Sequence, residues 1–320
     1  MKAIRVARHG GPEVLRLEEV QDPVPGRCEV VIRVRAAGVN PVEAYLRAGT
    51  HYRVEVLPYT PGSDGAGEVE AAGPGVESPA PGDRVYTSGS LSGTYAEKVL
   101  CSADQVHPLP PNCSFAQGAA VHVPYATAWR ALHHKAGLSA GEVVLVHGAT
   151  GGVGIAAVQI ARAARAVVIG TGGTEKGRAA AKEQGAHFVL DHGRPGYLDG
   201  IPVLTGGRAP DVILEMLADR NLAEDLRVAA KFARIVVIGS RGRIEIEPRA
   251  AMGKDLLVAG MSLFNVPREE LAAIHGEIVK GLESGILRPV VGAEFPLARA
   301  PEAHERVMAP GALGKIVLVP

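Results

Sequence analysis

Val143-Val144-Leu145-Val146 runs directly into His147-Gly148-Ala149-Thr150-Gly151-Gly152-Val153-Gly154, and an alanine-rich stretch, Ile155 to Ala164, follows. Apolar strand, glycine-rich turn and helix in this order form the context in which a glycine motif points to a dinucleotide. The tight turn lets backbone approach a pyrophosphate. The next helix directs unpaired N–H groups and the positive end of its dipole at that anion. The first glycine of the strict repeat is replaced by Ala149. Taken alone, the turn would also suit a loop that merely packs a helix on a sheet.

The surrounding pattern argues for more than packing. From Glu142 onward short apolar runs alternate with helical stretches. Strands are expected at 142–147, 166–171, 187–190, 211–216, 234–238 and 256–261. Alternation of this kind calls for parallel strand–helix–strand units, and six such strands predict an α/β doubly wound Rossmann sheet. The first third is punctuated by Gly and Pro between short runs such as Val30-Val31-Ile32-Arg33-Val34 and Gly82-Asp83-Arg84-Val85-Tyr86, the pattern of an irregular, mostly-β domain. Pro124 to Ala136, with Tyr125, Trp129 and Leu132 on one side, reads as a helix leading into the second domain. After Pro267 an amphipathic helix (Leu271, Ile274, Ile278, Leu282) precedes strands at 287–291 and 315–319, which return to complete the first domain. The expected division is 1–124 plus 267–320 for the catalytic domain and 125–266 for the inserted dinucleotide-binding domain.

Composition narrows the function. The chain has 320 residues and a formal net charge of +0. It is long enough for about two domains, and its charge gives no general attraction to nucleic acid or anionic membrane. Three cysteines, Cys28, Cys101 and Cys113, cannot all pair and show no C-x-x-C spacing. The start lacks an apolar signal core, so a reducing, cytoplasmic setting is expected. No apolar run approaches the roughly 18 residues of a membrane span.

Cofactor choice is read at the end of the second strand. A site for NAD usually places Asp or Glu there for the ribose 2′-hydroxyl. Here the strand ends Val168-Ile169-Gly170-Thr171-Gly172-Gly173-Thr174, and the first carboxylate, Glu175, comes one turn later, with Lys176 and Arg178 after it. A 2′-phosphate is repelled by an acid and attracted by a base, so NADPH is the expected cofactor.

Six stretches belong together: Gly10-Gly11-Pro12-Glu13-Val14-Leu15, Gly38-Val39-Asn40-Pro41-Val42-Glu43, Leu57-Pro58-Tyr59-Thr60-Pro61-Gly62-Ser63-Asp64, the glycine turn, Gly239-Ser240-Arg241-Gly242 and Ile244-Glu245-Ile246-Glu247-Pro248-Arg249. With them the chain resembles, end to end, the zeta-crystallin type of quinone oxidoreductase, in the medium-chain dehydrogenase/reductase superfamily. The resemblance implies a GroES-like catalytic domain and a zinc-free, NADPH-dependent homotetramer. It further implies reduction of quinones, preferably ortho-quinones, by one-electron transfer giving semiquinone. By resemblance Tyr45 approaches the nicotinamide half of the cofactor, and Thr150, Gly151, Gly152 and Val153 hold the pyrophosphate. Gly173 and His192 lie at the adenosine end, and Asn221 lies along the cofactor. Ile238, Gly239, Ser240 and Arg241 form one nicotinamide-side loop, and Met261, Ser262 and Leu263 another. Two departures stand out. Bacterial relatives use lysine for the 2′-phosphate where this chain has Gly177, and tyrosine where it has His192, so NADPH selection must rest on other groups, with Lys176, Arg178 and His192 as candidates. His51, with Tyr52 after it, replaces a loop tyrosine.

Zinc is not expected. The zinc alcohol dehydrogenases of this superfamily use Cys after the Gly-Val of the first motif and a later Gly-His-Glu. This chain has Asn40 and Gly62-Ser63-Asp64, and a catalytic zinc needs about three N, S or O ligands. The histidines His122, His133, His134 and His147 read as polar or partly buried residues; adjacent His133 and His134 on a helix point apart. A quinone already accepts electrons well, so the cofactor carries the chemistry and the protein supplies orientation. No general acid or base is assigned. Asn40, Tyr45, Tyr52 and Tyr59 are the candidate substrate-pocket residues, the tyrosines as hydrogen-bond donors to a quinone oxygen or as wall residues.

Two other readings compete. One is an NADPH-dependent reductase of enones or enoyl thioesters, chemistry that the same superfamily performs without zinc. The other, of a different class, is a lens crystallin or AU-rich RNA-binding protein, as relatives of this type also are. Arg241, Arg243 and Arg249 form a basic cluster, but Glu245 and Glu247 interleave with it and no RNA-module motif appears.

Overall fold

The computed structural model describes all 320 residues, Met1 to Pro320. The chain forms two compact units: 1–123 with 275–310 and 314–320, and 124–274 with 311–313.

In the first unit β1 (Lys2–Val6) and β2 (Leu15–Glu19) form an antiparallel pair. The main sheet is built on the long β3 (Glu29–Val39), which leads into α1 (Pro41–Ala48). Then come β4 (Asp64–Ala72), β5 (Arg84–Thr87), β6 (Lys98–Ser102), β7 (Val106–Pro108) and the short α2 (Phe115–Gly118). The register of β3 against β4 shifts twice, at Val31/Ile32 and Val34/Ala36; such bulges bend a strand and raise its twist.

The second unit opens within a helical run, His122–Lys135. Only its middle, α3 (Thr127–Trp129), is regular; wide π-type turns flank it. Next are β8 (Val143–Val146), α4 (Gly152–Ala163), β9 (Val167–Gly172), α5 (Glu175–Glu183), β10 (Phe188–Asp191) and α6 (Ile201–Leu204). They are followed by β11 (Val212–Glu215), α7 (Ala218–Val228), β12 (Arg234–Val237), α8 (Pro248–Met252) and β13 (Leu257–Gly260). These are the six strands expected from the sequence. All pair in parallel in the order β10-β9-β8-β11-β12-β13, the doubly wound order that reverses beside β8. Every residue of β8 and β11 is buried, because helices cover both faces of a parallel sheet.

The chain returns through α9 (Arg268–Glu283). The division between units falls inside this helix, at Ile274, rather than at Pro267. Its first turn is tied to the second unit: Arg130 Nε and His134 Nδ1 lie 2.8 and 2.9 Å from Glu270 Oε1. The strand expected at 287–291 begins only at its last residue. Leu287 instead packs against Gly281, where an added Cβ would meet its Cδ1 at 2.5 Å, and Pro289 has no N–H to donate. The observed strand is β14 (Val291–Pro296), followed by α10 (Ala300–Met308) and β15 (Lys315–Val319). The sheet order is β14-β15-β3-β4-β5-β7, with β6 pairing β3. No helix is long and apolar enough to cross a membrane.

Candidate active site

In the first unit, Asn40 caps α1 and Glu43 reaches back to its backbone N–H at 2.7 Å. That capping exchange begins a buried network. Asn40 Nδ2 donates to Glu43 Oε1 at 3.2 Å and to Asp64 Oδ2 at 3.1 Å. Antiparallel pairing sets Ile316 opposite Val39, and Lys315 Nζ donates to Asn40 Oδ1 and Asp64 Oδ2. Gly38 gives the lysine stem its room: a Cβ there would lie 2.6 Å from Lys315 Cε and 2.1 Å from the Ala119 carbonyl oxygen. The Val123 N–H donates to Asp64 Oδ1 at 2.9 Å. The Lys315 and Asp64 side chains are 4 % and 0 % exposed, so this is a fully desolvated ion pair.

The network continues behind Glu43. Tyr95 donates its hydroxyl proton to Glu43 Oε2 at 2.7 Å. His304 Nε2 lies 3.2 Å from that hydroxyl, and Arg47 Nη1 lies 3.3 Å from His304 Nδ1. Burial, with Arg47 beside it, pushes His304 down to about 3. The ring is therefore neutral: Nδ1 accepts from the guanidinium and Nε2–H donates to Tyr95. Burial raises the Glu43 carboxyl, while Lys315 pulls it back down.

The three candidate tyrosines diverge. Tyr45 is half-buried on α1, and Tyr52 is 70 % exposed. Tyr59 bridges Val6 through its backbone, packs on the apolar core and has a buried hydroxyl without a partner. Burial pushes it up to about 12. His122 is buried in a separate cluster, with Nδ1 3.1 Å from His275 Nε2; Tyr86 and a stacked His107 complete it.

In the second unit, the turn after β8 is tight and leads straight into α4. Gly148 takes φ +57°, and Gly151 caps α4. The Ala149 N–H bonds the Thr171 carbonyl at 2.9 Å, and the Gly148 N–H bonds Thr171 Oγ1 at 3.1 Å. Gly154 lets α4 sit on the turn: a Cβ there would lie 2.1 Å from the Gly148 carbonyl oxygen. Thr150, Gly151, Gly152 and Val153 thus form the entry to a three-turn helix, a geometry that fits a pyrophosphate.

At the end of β9 no carboxylate is present. Thr174 caps α5 by accepting from the Gly177 N–H at 3.1 Å. Arg178 Nη1 lies 3.3 Å from the Gly172 carbonyl oxygen and 3.1 Å from Asp191 Oδ2. His192 sits over Gly173, where a Cβ would meet Nε2 at 2.7 Å. Lys176 is exposed. The loop Ile238–Arg241 follows β12, and Asp219 anchors it by accepting from the Arg241 N–H at 2.7 Å and from the Ser240 hydroxyl at 3.3 Å. Met261, Ser262 and Leu263 follow β13 and are half-buried; the Ser262 carbonyl accepts from Arg130 Nη1 at 3.0 Å. Asn221 Nδ2 donates to Glu215 Oε1 at 3.1 Å. Lys315, Asp219 and Glu215 were missed in the sequence. Each is a lone charge in an otherwise ordinary segment, and only the fold supplies its partners.

A β-rich unit joined to a doubly wound sheet with this turn is the architecture of a nicotinamide-dependent dehydrogenase or reductase. The family comparisons agree. The alcohol dehydrogenase GroES-like domain matches residues 26–111, and the zinc-binding dehydrogenase family matches residues 152–279. A quinone oxidoreductase of Homo sapiens is 47 % identical over 321 residues, covering 100 % of this chain and 98 % of that protein. Among solved structures, an NAD-dependent alcohol dehydrogenase superposes with TM-score 0.94 at 31 % identity. Escherichia coli quinone oxidoreductase in complex with NADPH does so with TM-score 0.89 at 29 % identity. Each of the two covers 100 % of both chains. The chain belongs to the quinone oxidoreductase family of the medium-chain dehydrogenase/reductase superfamily.

Proposed function

We propose that this protein is a cytoplasmic, zinc-independent NADPH:quinone reductase that prefers ortho-quinones and delivers electrons one at a time. The full-length identity to a quinone oxidoreductase carries this reading. When bound, NADPH supplies the reducing equivalents. The protein's residues hold it: the entry of α4 takes the pyrophosphate, and the bases at the end of β9 take the 2′-phosphate. Zinc does not fit the first unit. Asn40 and Gly62-Ser63-Asp64 stand where the zinc enzymes carry Cys and Gly-His-Glu, and the Lys315 ammonium already engages Asn40 and Asp64. The homotetramer rests on the family resemblance; β13, a sheet edge with Leu257 and Val258 53 % and 41 % exposed, offers one surface on which two copies can pair.

The assay is loss of reduced-nicotinamide absorbance with an ortho-quinone, run with NADPH and NADH. NADPH should be used far better. Arg178→Ala should lose roughly ten- to a hundredfold in NADPH affinity, as removal of a charge-assisted hydrogen bond does, and leave NADH nearly unaffected. Equal use of both cofactors defeats the NADPH reading. NADPH binding without quinone turnover transfers the assignment to an enone reductase.

Of the three tyrosines, Tyr45 is the donor proposed for a quinone oxygen, since Tyr52 is exposed and the Tyr59 hydroxyl is buried. Tyr45→Phe should lower kcat/KM for the quinone roughly two- to tenfold. Unchanged turnover removes it from the role.

A further inference from the structure

Beneath the glycine turn lies a wholly buried triad that neither the cofactor nor the fold explains. His147 follows β8, Glu215 ends β11 and Asp225 lies on α7. Their side chains are 3 %, 0 % and 0 % exposed. His147 Nε2 lies 2.8 Å from Asp225 Oδ1 and 3.6 Å from Glu215 Oε2. Glu215 Oε1 is saturated, accepting from the Leu217 N–H and from Asn221 Nδ2. The other two oxygens, Glu215 Oε2 and Asp225 Oδ2, are buried without a partner. The His147 ring and the two carboxylates each offer an atom within 4.8 Å of the others, and two carboxylates so close and out of water cannot both remain charged. A single proton resolves the whole arrangement. Placed on Glu215 Oε2 and donated to Asp225 Oδ2, it satisfies both orphaned oxygens. It leaves Oε1 free to accept from Asn221 and Oδ1 free to accept from the His147 N–H.

We propose that Glu215 and Asp225 hold one shared proton, and that this protonated pair is the strut fixing Asn221 and the glycine turn in their cofactor-binding arrangement. The proposal rests on the reading that Asn221 and the turn bind NADPH. Glu215 and Asp225 are positioning residues: Glu215 acts through Asn221, and Asp225 acts through His147. The backbone N–H of His147 bonds the Leu214 carbonyl at 3.1 Å, and its C-terminal neighbour opens the turn.

Other groups facing the triad do not supply a compensating cation. The rings of Tyr197, before α6, and His147 lie nearly perpendicular with centroids 6.5 Å apart. Glu224 on α7 adds further negative potential at Asp225. His192, after β10, feels His147 and is itself held down by burial. Burial likewise lowers His147, so that the imidazole is neutral. Burial raises both carboxyls, Glu215 to about 7.

The sign follows. The folded state binds a proton that the unfolded chain has released, so stability falls as pH rises from the ordinary glutamate range through about 7. Loss of the proton also sets two charges against each other beneath Asn221.

The test measures the melting temperature and the NADPH dissociation constant of the intact protein between about pH 6 and about pH 9. The wild type should lose both thermal stability and at least about fivefold in NADPH affinity across that range. Glu215→Gln places a permanent donor at the Oε2 position and should bind NADPH with a flat profile. Asp225→Asn supplies the donor from the other side and should also flatten it. At alkaline pH the wild type should show a raised KM for NADPH with kcat unchanged. Identical pH profiles for the wild type and both variants overturn the proposal. If neither variant folds, the infrared difference spectrum of the wild type decides: a protonated-carboxyl band lost between neutral and alkaline pH supports the proposal, and its absence overturns it. Stoichiometric divalent metal in the purified protein also overturns it, because the cation would then stand where the proton is placed. The melting and infrared arms need no cofactor, so failure of the NADPH reading is distinguishable from failure of the shared proton.

Discussion

Replacing Lys315 with methionine should lower the melting temperature by roughly 6–20 °C. An uncompensated buried charge costs about 3–5 kcal/mol, and each kcal/mol lowers the melting temperature of a domain of this size by about 2–4 °C. Methionine keeps most of the stem volume beside Gly38, so the loss is chiefly electrostatic. Without the ammonium, Asp64 Oδ2 retains only the Asn40 amide, and Asn40 Oδ1 loses its donor. Glu43 changes with it. Burial already raises its carboxyl, and Lys315 is the first influence pulling it down. In the variant the carboxyl rises further. A raised acid in the folded state makes stability fall as pH increases, so the deficit of Lys315→Met should be larger at about pH 8 than at about pH 5. Thermal melts at the two pH values check this. The double variant Lys315→Met, Asp64→Asn should recover part of the loss, since the partner charge is then gone. A deficit independent of pH, or no recovery in the double variant, would mean that Lys315 acts by packing alone.

The same residue shows where sequence reading reaches its limit. The dinucleotide sheet was legible because burial on both faces forces near-continuous apolar runs. Val143–Val146 and Val212–Glu215 are buried at every position, and the glycines between β8 and α4 are spaced by a backbone contact. The first unit hides its order. β3 continues from Val34 through Arg35, Ala36, Ala37 and Gly38 with shifted register, which breaks the alternation that identifies a strand. The helix at Pro124–Ala136 was legible as a helix, whereas its wide turns leave no mark in residue types. Neither buried charge cluster could be read at all. Lys315 meets residues 251 and 275 positions away, and His147 meets Asp225 at a separation of 78. Spacing rules act within one element, so they do not see pairings that the fold alone creates.

Gly154→Ala should abolish tight cofactor binding, with NADPH affinity falling at least about a hundredfold, or roughly 3 kcal/mol. The added Cβ would stand 2.1 Å from the Gly148 carbonyl oxygen, 2.6 Å from Ala149 Cα and 2.8 Å from the Gly148 carbonyl carbon. All three are backbone atoms of the turn itself, so no rotamer change relieves the clash. Either α4 moves away from β8 or the turn opens. Both withdraw the helix entry from the anion, and both disturb a core in which Ile155, Val158 and Ile160 are almost wholly buried. Stability should fall together with affinity. Gly151→Ala separates the two effects. Gly151 takes φ −83°, which any residue adopts, and the nearest atom to an added Cβ is Ala312 Cβ at 3.7 Å, an ordinary contact. This variant should melt within about 1 °C of the wild type, as a surface substitution without strain does. Its NADPH affinity should nonetheless drop, because the new methyl stands where the turn is proposed to meet the pyrophosphate. Differential melting with and without NADPH checks both variants. If Gly154→Ala binds NADPH normally, the close approach of helix to turn is not what makes the anion site. If Gly151→Ala binds normally, the pyrophosphate lies elsewhere on the turn.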